Sequence, residues 1–359
     1  MHLTLPADVH SRHVRFRLRA RRRRDPYEST SGPGHTNSEV CHDREVDSAD
    51  GHAADRAEFD RLVGPLRAEL HVHCYRFLGS VHDADDALQE ALLHAWRSRA
   101  NLTDPGKFRP WLYKIATNRC LTMLEQRGRR ELPMDSEPDA PAAERIWLEP
   151  YPGIGVGEPG PEARYTARES IELAFVAVIQ QLPGVQRGAL LLRDVLGFSA
   201  SETAELLDVT VASANSALQR ARARLDQREP SVAPDDPQAR RLAERYATAW
   251  ENADVDGIIA LLATDARYAM PPLPEWYAGQ PAIREFLVTG PLHWRWRFRP
   301  TVANGQPAFG TYWWDPERSV FAAMALDVLT VRGGAITDVV SFLDPALFTR
   351  FALPEFVTD

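Results

Sequence analysis

Cysteine is scarce in this sequence. Cys41, Cys74 and Cys120 are the whole complement of 359 residues. None stand at the close spacing of a zinc site or a redox pair, so neither a disulfide framework nor a metal centre is expected. Such usage suits a reducing compartment, and a cytoplasmic protein is expected. Long apolar runs are missing too: no 18-residue apolar stretch occurs, which leaves no transmembrane helix in the pattern. The arginine-rich first residues lack the apolar segment that an export leader needs. Excess positive charge is also lacking, because 42 Lys+Arg stand against 50 Asp+Glu for a net charge of -8. A protein that coats nucleic acid by bulk charge is excluded, and any DNA contact must come from local basic faces. With no nucleophile motif and no metal-type cluster in the chain, no catalytic residue, metal or cofactor is expected.

What is present is enough apolar residue, 44% of the chain, for two or three domains. Residues 1–54 are poor in large apolar side chains and carry an arginine block, Arg12, Arg15, Arg17, Arg19 and Arg21 to Arg24. They read as a disordered extension, either a true tail or the product of a start codon placed too early. Pro and Gly crowd residues 131–161 and mark a linker. Inside it Ile146-Trp147-Leu148-Glu149-Pro150-Tyr151-Pro152 is a compact apolar run, expected to dock on a domain or a partner. A shorter break spans 230–236. Three folded segments remain: 55–130, 162–229 and 237–359.

In the first segment Leu62, Leu66, Leu70 and Cys74 recur every four residues, predicting a helix to Leu78 closed by Gly79. A second helix is predicted from Asp83 to Arg99, with Asp83, Asp86 and Glu90 on one face and Ala84, Leu88, Ala91, Leu92 and Ala95 inward. That acidic face is either a solvated surface or a dock for a basic partner. A third helix starts near Pro110 and buries Leu112, Ile115, Ala116, Cys120 and Leu124. Phe108, Trp111, Tyr113, Lys114, Asn118 and Arg119 add aromatic, basic and polar groups. Residues 55–130 hold 13 Lys or Arg against 10 Asp or Glu. Aromatics beside basic groups suit a melted nucleic-acid strand, whose bases stack while its phosphates are neutralised. Packing between helices is the other use of each aromatic, Trp111 above all.

Residues 199–225 carry the clearest motif. Ser199 and Glu202 have the spacing of a capping box. After the break Asp208-Val209, Thr210 caps a second helix with Val211, Ala214, Leu218, Ala221 and Leu225 on one stripe. Ser213, Asn215, Ser216, Gln219, Arg220, Arg222 and Arg224 form its polar, basic face. This is a helix-turn-helix pattern, shared with helical hairpins that touch no DNA.

The last segment opens with two helices. Short strand patterns follow over Tyr268–Met270, Trp294–Pro300, Ala308–Trp314, Val320–Val331 and Ala335–Phe342, with a hairpin turn at Gly333-Gly334. Helices followed by an antiparallel sheet predict an α+β domain.

DADDALQEALLHAWR followed by FRPWLYKIATNRCLTML resembles the second conserved region of bacterial RNA polymerase sigma factors of the extracytoplasmic-function type. LPGVQRGALLLRDVLGFSASETAELLDVTVASANSALQRARARL resembles their fourth region. WLEPYP resembles a linker of the sub-group with an extra C-terminal domain, and AWENADVDGIIALLATDARYAMPPLPEWYAG resembles an NTF2-like cone of the SnoaL-like kind. The fold expected is therefore multi-domain: two all-α sigma domains, the second with the helix-turn-helix, then an α+β NTF2-like cone. The resemblance implies that Asp83, Asp86, Gln89 and Glu90 dock on the clamp helices of core RNA polymerase. It implies that Lys107, Arg109, Trp111, Tyr113, Lys114, Asn118 and Arg119 melt and read the minus-ten promoter element. Thr210, Ser213, Asn215, Ser216 and Gln219 would read the minus-thirty-five element, with Arg220, Arg222 and Arg224 on phosphates. The family is not enzymatic. Tyr246, Trp250, Met270, Trp276, Tyr277, His293, Trp294, Trp296, Trp313 and Asp327 are candidates to line the cone. An Asp327–His293 pair there would offer acid-base chemistry, a small ligand is a second use, and regulation or packing, including docking on the sigma core, is the third. A helix-turn-helix regulator with a ligand-sensing domain is the alternative to a sigma factor.

Overall fold

The computed structural model describes residues 55–126, 130–135, 146–153, 171–225 and 236–358. Expectations for 1–54, for most of the 131–161 linker and for the 230–235 break lie outside these residues. The chain forms two compact units, 1–64 and 65–359. In the first, residues 55–63 are helical, with ion pairs Arg56–Asp60 and Arg61–Glu58 on the surface. Phe59 and Val63 are buried there while Leu62 is 42% exposed, so the inward stripe lies one residue away from the one the four-residue repeat predicts.

The second unit begins with three helices, α1 (Arg67–Leu78), α2 (Val81–Ser98) and α3 (Phe108–Gln126). Gly79 ends α1 with φ 67° and returns its N–H to Tyr75 O, a left-handed cap that favours glycine. Ser80 starts α2, its Oγ accepting from Asp83 N at 3.1 Å. Buried Leu70, Cys74, Ala84, Leu88, Leu112 and Cys120 hold the three together. Two short strands follow, β1 (Arg130–Glu131) and β2 (Ile146–Trp147), paired in parallel.

The next helices are α4 (Leu173–Gln180), α5 (Gly184–Leu190), α6 (Ala200–Leu206) and α7 (Val211–Leu225). A π turn, Leu191–Val195, continues α5. The capping box at Ser199 and Glu202 is complete, and Thr210 Oγ1 accepts from Ser213 N at 3.1 Å. Val211 is exposed, and Ala214, Ala217, Leu218 and Ala221 form the buried stripe of α7.

The C-terminal part contains α8 (Pro237–Glu251), α9 (Val255–Leu261) and α10 (Gly279–Thr289). They pack against a sheet in the order β4-β3-β8-β7-β6-β5, with β9 also on β7. The strands are β3 (Leu262–Ala269), β4 (Trp276–Ala278), β5 (Trp296–Ala303), β6 (Gln306–Asp315), β7 (Val320–Arg332), β8 (Ala335–Phe342) and β9 (Phe356–Val357). β3 and β8 run parallel, and the other pairs are antiparallel. A last short helix, α11 (Leu347–Arg350), lies against β7. Leu262 opens β3 directly after α9. Gly333-Gly334 makes the expected turn, and Asn304-Gly305, with φ 53° and 64°, makes a second one between β5 and β6. Both central residues at positive φ match the twist of a two-residue hairpin.

Candidate nucleic-acid and polymerase-docking surfaces

The acidic helix α2 presents Asp85, Asp86, Gln89 and Glu90 to solvent. Asp83 is not among them. It is buried, and its carboxylate takes Arg130 Nη2 at 2.8 Å. It stands one turn behind the exposed acids, on the side of α2 that the linker covers, so its place in the docking face is corrected. Asp85 accepts from His71 Nε2 at 2.9 Å and from Arg350 of α11 at 3.1 Å, and Arg350 also contacts His82. Glu90 holds Arg119 at 2.7 Å.

A groove of about 750 Å³ runs between α2 and α3, walled by Leu93, His94 and Arg97 on one side and Trp111, Asn118 and Arg119 on the other. Lys107 is exposed on the turn before α3, which Asp104 holds by accepting from Gly106 N at 2.9 Å. Tyr113 is the second correction. It is fully buried, its ring edge-on to His73 at 5.1 Å and Phe198 at 5.5 Å, because it lies on the same face of α3 as Leu112, Ala116 and Cys120. Arg109 caps this cluster, 5.0 Å above the Tyr113 ring and 4.8 Å above Phe198, and pairs with Glu69 at 2.8 Å. Lys114 donates to Asp208 at 2.7 Å and to Glu205 O at 2.9 Å. Both partners belong to the helix-turn-helix. Thus Arg109, Tyr113 and Lys114 join the two helical modules.

Buried Arg187 strengthens the same junction. Its guanidinium donates to Phe77 O at the end of α1 and to the carbonyls of Gln180 and Leu182. Burial lowers it to about 10, so it stays charged and every carbonyl contact is charge-assisted.

On α7, Ser213, Asn215, Gln219, Arg220 and Arg224 are exposed, as is Thr210 before it, and Ser216 is half-buried. Arg220 donates to Ser216 Oγ at 2.6 Å. Arg222 grips Asp194 with two bonds, 2.6 and 2.9 Å, so its fork is occupied within the protein.

The linker motif is docked. Leu148 is buried over Gly79, where an added Cβ would collide with its side chain. Glu149 carboxylate accepts from Val81 N at 2.9 Å and so caps α2. Tyr151 lies against Tyr75 at 4.7 Å and His71 at 5.5 Å, its hydroxyl 2.7 Å from His71 Nδ1. The tip of the β5–β6 hairpin then plugs the same place. Asn304 has no exposed surface. Its Oδ1 accepts from Tyr151 N, and its Nδ2 donates to Tyr75 OH and Ile171 O, all at 2.8 Å. Its backbone N–H donates to Tyr151 O at 2.8 Å, and Gln306 Oε1 accepts from Leu173 N at 3.0 Å. One hairpin thereby touches the first helical module, the linker and the start of the second module.

Inside the cone, Tyr246, Trp250, Met270, Trp296 and Asp327 are buried, Trp276, Tyr277 and Trp313 half-buried. Trp250 packs edge-on to Trp296 at 5.8 Å and tilted on Phe298 at 5.9 Å. His293 is exposed on a short turn, Pro291–His293, so it forms no pair with Asp327, whose neighbour is Ser341 Oγ at 2.5 Å. Burial pushes the Asp327 carboxyl up to about 7.

Three family models match the chain: Sigma-70 region 2 over 62–130, Sigma-70 region 4 over 172–225 and the SnoaL-like domain over 243–339. The ECF RNA polymerase sigma factor SigG of Mycobacterium tuberculosis is 39% identical over 320 residues, covering 84% of this chain and 85% of that protein. SigE of Mycolicibacterium smegmatis is 32% identical over 181 residues, covering 50% of this chain and 65% of that protein. The crystal structure of the Mycobacterium tuberculosis extracytoplasmic function sigma factor SigJ has the same fold, with a TM-score of 0.56 at 23% identity over 83% of this chain and 99% of that chain. The chain belongs to the extracytoplasmic-function RNA polymerase sigma factors, non-catalytic proteins that direct transcription initiation, and carries a C-terminal SnoaL-like domain.

Proposed function

We propose that the C-terminal domain is a built-in restraint on the two promoter-reading modules. Asp86, Gln89 and Glu90 of α2 dock on core polymerase. Lys107, Trp111, Asn118 and Arg119 beside the α2–α3 groove receive the melted strand. Ser213, Asn215, Gln219, Arg220 and Arg224 enter the major groove of duplex promoter DNA, where base edges are distinguishable. In the closed arrangement Lys114 and Arg109 are spent on the helix-turn-helix module, and Arg350 occupies Asp85 beside the docking face. These contacts favour the closed form only as far as something holds the modules together.

The observation that carries the reading is Asn304. A fully buried side-chain amide with all of its polar atoms satisfied by three separate segments is a specific lock. Asn304→Gly tests it. Glycine keeps the φ of 53° and removes only the amide. Each broken bond weakens the closed form by about 1 kcal/mol, so promoter-specific transcription with core polymerase should rise several-fold. Unchanged or lower output counts against the restraint.

A further inference from the structure

Two histidines, a carboxylate and a guanidinium meet where α11 reaches the acidic helix. His71 of α1 is half-buried. Its Nε2 lies 2.9 Å from Asp85 Oδ1 of α2 and its Nδ1 lies 2.7 Å from Tyr151 OH of the linker. Burial holds the His71 imidazole below its usual 6.5, and the like charge of Arg350 acts the same way, against the pull of Asp85. The ring is therefore neutral near pH 7, giving its Nε2–H to Asp85 and taking the Tyr151 hydroxyl on Nδ1. Arg350 of α11 donates to the other oxygen of Asp85 at 3.1 Å and to His82 Nδ1 at 3.2 Å. A guanidinium only donates, so His82 must offer it a lone pair, which a protonated ring does not have. Asp85, Tyr151 and Arg350 are the groups that face His71; Tyr75 and Arg76 stand behind Tyr151. Around His82 are Arg350, the Asp85 and Asp86 carboxylates one turn on in α2, and Glu149 of the linker, which accepts from His82 N at 3.4 Å.

We propose that this cluster is a pH-sensitive latch: acid loosens the hold of α11 and the linker on α2 and so frees the polymerase-docking helix. The latch rests on the restraint proposed above and supplies its signal. His71 and Asp85 belong to two helices of one module, and their contact exists whether the latch is open or closed. Closure adds Tyr151, which buries the ring, and Arg350, which repels a proton on it. Both disfavour the imidazolium, so the closed form binds that proton less tightly than the open form. At His82 a proton removes the acceptor and sets an imidazolium against a guanidinium 3.2 Å away. Glu149 also arrives with the linker, but its carboxylate is committed to the N–H groups of Val81 and His82 and to Arg130, whereas Arg350 touches the ring nitrogen itself. Closure is therefore fully favoured above the ordinary imidazole range near 6.5 and weakens as pH falls through it. Each proton taken up on opening shifts the balance by up to about tenfold per pH unit.

The test uses the full chain between about pH 7.5 and about pH 5.5, one unit either side of the imidazole range. Hydrogen-exchange protection of the Tyr151 and Gly153 amides, corrected for the intrinsic pH dependence of exchange, reads the latch directly. It should fall roughly tenfold across that interval, while the amides of the β3–β8 pairing stay protected. H71Q/H82N keeps a donor toward Asp85 and an acceptor for Arg350 but does not titrate, and its protection should stay level. Affinity for core polymerase, taken relative to N304G at the same pH, should rise several-fold on acidification in the wild type and stay level in H71Q/H82N. Constant protection in the wild type would overturn the latch, and so would a fall that H71Q/H82N shares or that spreads to the β3–β8 pairing. If the half-buried His71 does not tolerate glutamine, H82N alone, at an exposed position, should shrink the fall to about threefold; an unshrunk fall overturns the latch as drawn. Should N304G bind core polymerase no more tightly than the wild type at the upper pH, the restraint fails, and the exchange data still decide the latch.

Discussion

Among single residues, Asp327 has the most conditional place. It is buried in the cone with Tyr246 and Tyr268 near it. Burial raises its carboxyl from 3.8 to about 7, the hydroxyl of Ser341 acting the other way. The folded domain therefore holds this proton more tightly than the unfolded chain does. Stability from this group is complete below the unfolded value near 4 and is lost as pH rises through about 7. Asp327→Asn removes the ionisation and keeps a polar partner for Ser341. It should raise the melting temperature at pH 8 and flatten the decline between pH 5 and 8; an unaltered pH profile would assign the decline elsewhere. His73 has the opposite sign. Burial lowers it to about 3, so it costs stability as pH falls below 6.5. Asp327 interrupts a nearly continuous apolar strand, Met324-Ala325-Leu326-Asp327-Val328-Leu329, which marks it as a cone residue in the sequence; the neighbours of His73 are supplied only by the fold.

Among elements, the WLEPYP linker changes most between sequence and structure. Its apolar character announces docking. What it docks on is decided by backbone groups that no pattern displays, namely the free N–H groups at the start of α2 and the close approach allowed at Gly79. Glu149→Ala removes the cap on Val81 N and should cost about 1–2 kcal/mol. The readout is a lower urea midpoint at unchanged slope; an unchanged midpoint would mean that water replaces the carboxylate without cost. Helix α3 shows the same division. Trp111 and Tyr113 read alike as aromatic neighbours of basic residues. They differ by about 200° around a helix, which leaves one on the groove and the other in the core.

At the scale of the molecule, residues 65–359 form one compact unit because β5 and β6 extend a hairpin into the helical region. Asn304→Gly should therefore act locally on that junction. Hydrogen exchange should quicken at Tyr151, Gly153 and Leu173, whose N–H groups bond to the hairpin, while the β3–β8 pairing of the cone stays protected. Exchange that quickens everywhere would mean that the domain, not the junction, depends on Asn304.

Local rules were sufficient for much of this protein. The capping box at Ser199, the glycine cap at Gly79, the Gly333-Gly334 turn and the helix-turn-helix all follow from contacts within a few residues, and such contacts are written in sequence order. The order of the three modules and the family are carried by motifs of the same local kind. Asp83 turned toward Arg130 and Asn304 at a three-way junction join residues 47 to 229 positions apart. Tyr113 in the core and His293 on the surface are separated from near neighbours that read alike. Their surroundings are set by which faces the tertiary packing covers, and a buried polar group is satisfied only by whatever backbone or side chain that packing brings to it.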